Sequence, residues 1–106
     1  MTETEFQKLV MATLERIEAA LDALDAGIDF ERKADTVLEL EFEDASRIVV
    51  NGHAAARELW IAAKSGGQHF HYDNGAWKNT RDGRDFYEAL SLAISEQSGK
   101  SVLLSA

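Results

Sequence analysis

The sequence predicts an α+β fold: a two-layer α-β sandwich with an N-terminal and a C-terminal helix packed on one face of an antiparallel sheet of about six strands. Three observations lead there. Apolar residues recur with helical spacing at the start of the chain and again near its end; the middle alternates apolar and polar residues; and turn dipeptides cut that middle into short runs. Each helix then offers one apolar stripe and each strand one apolar face, so two helices on the same side of one sheet bury both sets. The opposite sheet face is left to solvent or to a partner.

The first helical stretch lies within Thr4 to Glu31. Phe6, Val10, Leu14, Ile17, Leu21 and Leu24 recur at steps of three and four and form a core stripe roughly 80° wide. Beside it runs a second stripe of Glu15, Glu18, Asp22 and Asp25. Gly27 is expected to end the helix, and Asp29 and Glu31 continue the acidity beyond it. Like charges at this spacing oppose helix formation by roughly 0.2–0.5 kcal/mol per pair, so the pairs 15–18, 18–22 and 22–25 cost stability.

Strands are expected over Ile28 to Glu31, Val37 to Glu43, Arg47 to Asn51, Arg57 to Ala63, Gln68 to Tyr72 and Ala76 to Asn79. The turns between them are Lys33 to Thr36, Asp44 to Ser46, Asn51-Gly52, Ser65 to Gly67 and Asp73 to Gly75, with His53 to Ala56 open between strand and helical turn. Alternation puts Leu38, Leu40, Phe42, Leu59 and Ile61 inside. Glu39, Glu41, Glu58 and Trp60 face outward, and Phe70 and Tyr72 share the face opposite to His69 and His71. From Asp82, read as an N-cap, the period is helical again through Phe86, Leu90, Ala93, Ile94 and Gln97, with Gly99 as the stop. Val102 to Leu104 reads as an apolar tail covering the open end between the helices, and Trp77 as a core residue facing the second helix.

The length suits one domain spanning residues 1–106, with no need of metal or disulfide staples. No cysteine is present, so disulfides, thiolate metal sites and cysteine nucleophiles are excluded, which suits a reducing cytosol. No apolar run approaches the roughly 20 residues of a membrane span, and the start lacks a signal-peptide pattern, so the mature chain is expected to begin as written. Residues 1–44 hold 13 acidic and 4 basic side chains, and residues 45–106 hold 6 and 7, so the whole net charge of −8 comes from the first part. Such a field repels nucleic acid and anionic membrane and draws cations or basic protein surfaces.

The ridge of Glu15, Glu18, Asp22, Asp25, Asp29 and Glu31 is therefore the candidate metal site. Its oxygen donors suit hard cations such as iron, manganese, calcium or magnesium. Side chains strung along a helix cannot enclose one ion, and there is neither an EF-hand loop nor a Glu-x-x-His motif, so binding is expected to be weak and spread over overlapping places. His53, His69 and His71 lack an accompanying carboxylate motif and read as polar positions on a half-wet sheet. Trp60, outward and near Val49 and Asn51 of a neighbouring strand, reads as an interface anchor. No catalytic signature appears: no Gly-x-Ser-x-Gly, no phosphate-cradling glycine loop and no outstanding Ser/His/Asp spacing.

Several stretches together resemble the frataxin family, in its bacterial branch: Asn51-Gly52-His53 through Trp60-Ile61-Ala62, Gly66-Gly67-Gln68-His69-Phe70, Trp77, Thr80-Arg81-Asp82-Gly83 and Phe86, with Glu5-Phe6 and the acidic run from Asp22 to Glu31. The resemblance covers essentially the whole chain. It implies an α-β sandwich, weak surface binding of ferrous or ferric iron along the first helix and first strand, and a part in iron-sulfur cluster assembly as iron donor, sensor or regulator. It also implies contacts with a cysteine desulfurase, through Glu18, Asp22 and Asp25, and with a scaffold protein, through Asn51 and Trp60. The expected setting is the bacterial cytosol, for a monomer that iron can drive to oligomerise. Rival readings are an iron-oxidising storage oligomer and an acidic adaptor with no metal role. His53 stands where the family usually has Gln, the chain has no proline, and Ala19, Ala23 and Ala26 thin the ridge.

Overall fold

The structure, a computed structural model, describes residues 1–105. Helix α1 (Glu3–Leu24) is followed by strands β1 (Asp29–Ala34), β2 (Val37–Glu41), β3 (Arg47–His53), β4 (Glu58–Ala63), β5 (Gly66–Asp73) and β6 (Ala76–Asn79), then by helix α2 (Phe86–Ser98). The strands form one antiparallel meander in chain order, and both helices lie on the same face, as the periodicities predict. The core between the layers joins Phe6, Leu14 and Ile17 of α1 to Leu38, Leu40, Ile48, Val50, Leu59, Ile61 and Phe70 of the sheet and to Phe86, Leu90 and Ile94 of α2.

Local chemistry sets the helix ends. Thr2 caps α1 in a reciprocal box, its Oγ1 accepting from the Glu5 amide at 3.1 Å while Glu5 Oε1 accepts from the Thr2 amide at 2.9 Å. The helix stops earlier than expected, at Leu24, because Asp25 turns left-handed (φ 48°) before Gly27 is reached. Leu24, expected in the core, is 41% exposed in that last turn. The cap of α2 is Asp85 rather than Asp82: Asp85 Oδ2 accepts from the amides of Tyr87 and Glu88, while Asp82 Oδ1 accepts from the Arg84 amide in the preceding turn.

Two corrections to the strands bear on the site. Gly52 does not close a turn; β3 runs through it to His53, and Gly52 pairs with Leu59. Its lack of a side chain is required by α1, since a Cβ there would stand 3.1 Å from both Val10 methyl carbons. The turn follows instead at Ala54 to Arg57, Arg57 taking φ 54°. Trp77 is core, but it faces α1: its Nε1–H donates to Thr13 Oγ1 at 3.0 Å and its ring meets Phe6 edge-on at 6.1 Å. The tail lies against α2, Val102 and Leu104 buried and held by Ser95 and Ser91, which accept from their amides at 3.0 and 2.8 Å, whereas Leu103 between them, expected in the same apolar cover, is exposed.

Candidate functional site

The acidic residues gather along the edge of the molecule formed by α1 and the edge strand β1. Glu15, Asp22 and Asp25 are exposed on α1. Glu18 is not a free carboxylate: Arg32 of β1 reaches across, its Nη2 at 2.5 Å from Oε1 and its Nε at 3.2 Å from Oε2, with about a quarter of each side chain exposed. That pair ties helix to strand and removes one charge from the ridge. Asp29 and Glu31 point the other way. In the β1–β2 register Phe30 and Arg32 share the helix-side face with Leu40 and Leu38, whereas Asp29 lies opposite Glu41 and Glu31 opposite Glu39 on the open face. The six carboxylates thus wrap around an edge rather than line one plane.

The open-face quartet is partly compensated. Arg47, on β3, stands 3.6 Å from Glu39 and 3.3 Å from Glu41, and Lys33 stands 3.3 Å from Glu31. Among the described residues Glu15, Asp22, Asp25 and Asp29 have no ion-pair partner. Asp22 and Asp25 also sit at the end of α1 that carries the negative pole of the helix dipole, with no basic residue in the last turn. Two unpaired anions at that pole cost stability; the cation nearest the helix end, Lys100, donates its Nζ to the Ala26 carbonyl at 2.8 Å and forms an ion pair with neither of them. As metal donors these oxygens have the right chemistry for a hard cation, but no three His, Asp or Glu side chains converge on one point among the described residues. Among the described residues the arrangement forms no enclosing cage.

The second feature lies on the open sheet face. Register aligns Asn51, Trp60 and His69 in one row across β3, β4 and β5, so the outward direction expected for Trp60 holds. Trp60 is half-buried, because its indole is sandwiched between two imidazoles. His53 stacks on one side at 4.2 Å between centroids and 6° between planes, and His69 on the other at 4.3 Å and 8°. Glu58 completes the group: its Oε1 accepts from Trp60 Nε1 at 2.9 Å and lies 3.6 Å from His69 Nδ1. His71, beside Glu58 in register, takes no part in the stack.

Sequence reasoning placed Trp60, Asn51 and His69 on this face but missed the stack. Extending β3 by two residues would have revealed it, since His53 then shares the face of Asn51. It also missed Arg32 as the counter-charge of Glu18, a partner 14 positions away that becomes a neighbour only when α1 lies over β1.

Comparison with known proteins gives one consistent likeness. The family profile described as a frataxin-like domain matches residues 1–100. The chain is 46% identical over 104 residues to an iron-sulfur cluster assembly protein CyaY of Dechloromonas aromatica, covering 98% of this chain and 99% of the relative. It is 50% identical over 103 residues to the protein of that name from Neisseria meningitidis serogroup B, covering 96% and 94%. Its fold is similar to that of a frataxin from Psychromonas ingrahamii, with a TM-score of 0.92 at 30% identity over the full length of both chains.

Proposed function

The chain belongs to the frataxin family, and from that premise we propose that it serves iron-sulfur cluster assembly as a non-catalytic binding protein. In this reading the rim of Glu15, Asp22, Asp25, Asp29 and Glu31 meets positive charge, either loosely held iron or a basic surface of a cysteine desulfurase, with the scaffold protein engaging Asn51 and Trp60. Glu18 contributes mainly by holding α1 to β1. The bacterial cytosol is the setting, a single domain the acting form, and oligomers a response to iron. The relatives carry the name of an iron-sulfur cluster assembly protein and not that of an enzyme.

The observation that supports this most directly is the pair Asp22 and Asp25, exposed and unpaired at the negative pole of α1. A chain under selection for stability alone gains by neutralising such residues. Steering by these charges weakens as salt shortens the screening length. The test is NMR titration of the labelled chain at low salt, with Fe²⁺ and separately with desulfurase. Residues 15–31 should broaden first with Fe²⁺ and shift with desulfurase. Uniform broadening over the whole chain, together with desulfurase shifts confined to α2, would overturn the reading.

A further inference from the structure

The stack on the open sheet face has a property that the scaffold-docking reading does not use: both faces of the Trp60 indole are already covered. A partner can reach only its edge unless one imidazole moves aside. The two imidazoles differ in what surrounds them. His53 is the more enclosed; its Nδ1 is buried and finds no hydrogen-bond partner among the described residues. A proton added there would face no acceptor. His69 is about half exposed, and its Nδ1 faces Glu58 Oε1 at 3.6 Å. A proton added there meets a carboxylate on one side and the negative face of an indole on the other.

We propose that His69 is a proton-operated latch on Trp60, formed by the coplanar His53–Trp60–His69 stack and anchored by Glu58, that closes the indole against the sheet when protonated and releases it when neutral. Imidazole is the side chain whose charge ordinarily changes between pH 5 and 8, which suits it to a proton-operated contact. Closing adds a cation–π attraction and an ion pair to Glu58, which already holds the indole N–H at 2.9 Å. The other charged groups around His69 are His71 on its own strand and Arg81 and Asp82 of the loop after β6, which line the shallow crevice on its far side. Lys78 lies opposite His71 in the β5–β6 register, and Arg57 stands in the turn that follows His53. Among these, Glu58 is the carboxylate in contact with the ring.

The docking consequence rests on the reading that the scaffold engages Trp60. A closed latch withholds the indole face, so acid weakens docking. A cation–π contact at a half-exposed site corresponds to a factor of roughly two to five in an equilibrium constant.

The latch itself is tested without a partner. In a Trp77→Phe background Trp60 is the sole indole, and acrylamide quenching reads its accessibility at pH 8 and pH 5.5. The quenching constant should fall about three-fold on acidification in the parent and stay constant in His69→Gln. Should Trp77→Phe fail to fold, the indole heteronuclear NOE of Trp60 in the unmutated ¹⁵N-labelled chain reads the same motion and should rise on acidification. Accessibility that ignores pH, or that changes equally in His69→Gln, overturns the latch. Scaffold protein is then titrated at pH 6 and pH 8, where the parent should bind about three-fold tighter at pH 8 and His69→Gln equally at both. PH-independent affinity despite a working latch overturns the gating. Unchanged affinity in Trp60→Ala overturns the docking reading and leaves the quenching result to judge the latch alone.

Discussion

Neutralising Asp22 and Asp25 together, as Asp22→Asn with Asp25→Asn, should move partner binding and stability in opposite directions. In the free protein both side chains are exposed, without ion-pair partners, and lie at the negative pole of α1. Removing two charges there relieves about 0.3–1 kcal/mol each against the dipole and about 0.2–0.5 kcal/mol of mutual repulsion at the 22–25 spacing. Asn also tolerates the left-handed conformation that Asp25 adopts at φ 48°. A gain of about 1 kcal/mol should raise the melting temperature by roughly 4–8 °C. On the binding side, each exposed ion pair lost to a partner's Lys or Arg is worth about 0.2–1 kcal/mol, so affinity for desulfurase should fall roughly two- to thirty-fold at low salt. The difference should close at about 1 M salt, where the screening length is about 3 Å. Arg32→Gln is the mirror experiment: it frees Glu18, adds a charge to the ridge, and should tighten low-salt binding while costing about 1 kcal/mol of stability. Calorimetric titration at two salt concentrations, with thermal melts of the same samples, measures all four effects. A double variant that binds as the parent does at low salt, or loses the same affinity at every salt concentration, refutes the electrostatic reasoning.

Three further outcomes follow from the packing. Trp60→Ala should cost about 2 kcal/mol of stability by urea melt, since it removes two ring stacks and the hydrogen bond to Glu58, and should weaken scaffold binding at least ten-fold in the proposed docking role. Gly52→Ala should cost about 1–3 kcal/mol through the contact with Val10, and adding Val10→Ala should give a smaller combined loss than the two single losses summed, as a thermodynamic cycle would show. Burial pushes the Tyr87 phenol above its ordinary value. The folded state therefore holds that proton more tightly than the unfolded chain. Its contribution is fully present below about pH 10 and lost as pH rises through the folded value, so denaturant midpoints should fall above pH 10 in the parent and fall less in Tyr87→Phe.

The fold was legible because period and turn chemistry agree: the core of α1 from Phe6 to Leu21 and the alternation of Leu38, Leu40 and Phe42 each admit one secondary structure. What misled was local chemistry with two possible causes. Asn51-Gly52 has the composition of a hairpin turn, yet Gly52 is there because Val10 of α1 crosses it, a reason that lies 42 positions away in the chain. Ending β3 at Asn51 hid His53, and with it the stack. Asp82 and Asp85 are both acceptable caps by sequence; the bridge of Asp85 to Lys78 and the left-handed turn at Gly83 decide between them. Trp77 was legibly core, but a hydrophobic pattern does not say which of two helices lies over which strand. The donor to Thr13 Oγ1 shows that it is α1.

The acidic ridge divides along the same line. Which side chains are acidic could be read from the chain, but neither the pairing of Glu18 with Arg32 nor the shape of the ridge could, because both depend on where β1 stands in the sheet. Were β1 a central strand, Asp29 and Glu31 would be separated from α1 by the full thickness of the sheet and would form an independent patch. As the edge strand, it has no neighbour on its outer side, so side chains of both its faces border the same rim as Asp22 and Asp25. Arg32 and Glu18 fasten that rim from the helix side, while Arg47 draws Glu39 and Glu41 inward from the other. The charge left over is therefore concentrated on the edge itself. In the proposed role, a rim of that form favours a partner with a positively charged cleft that can straddle the edge over a flat basic face, which would meet only one of its two sides.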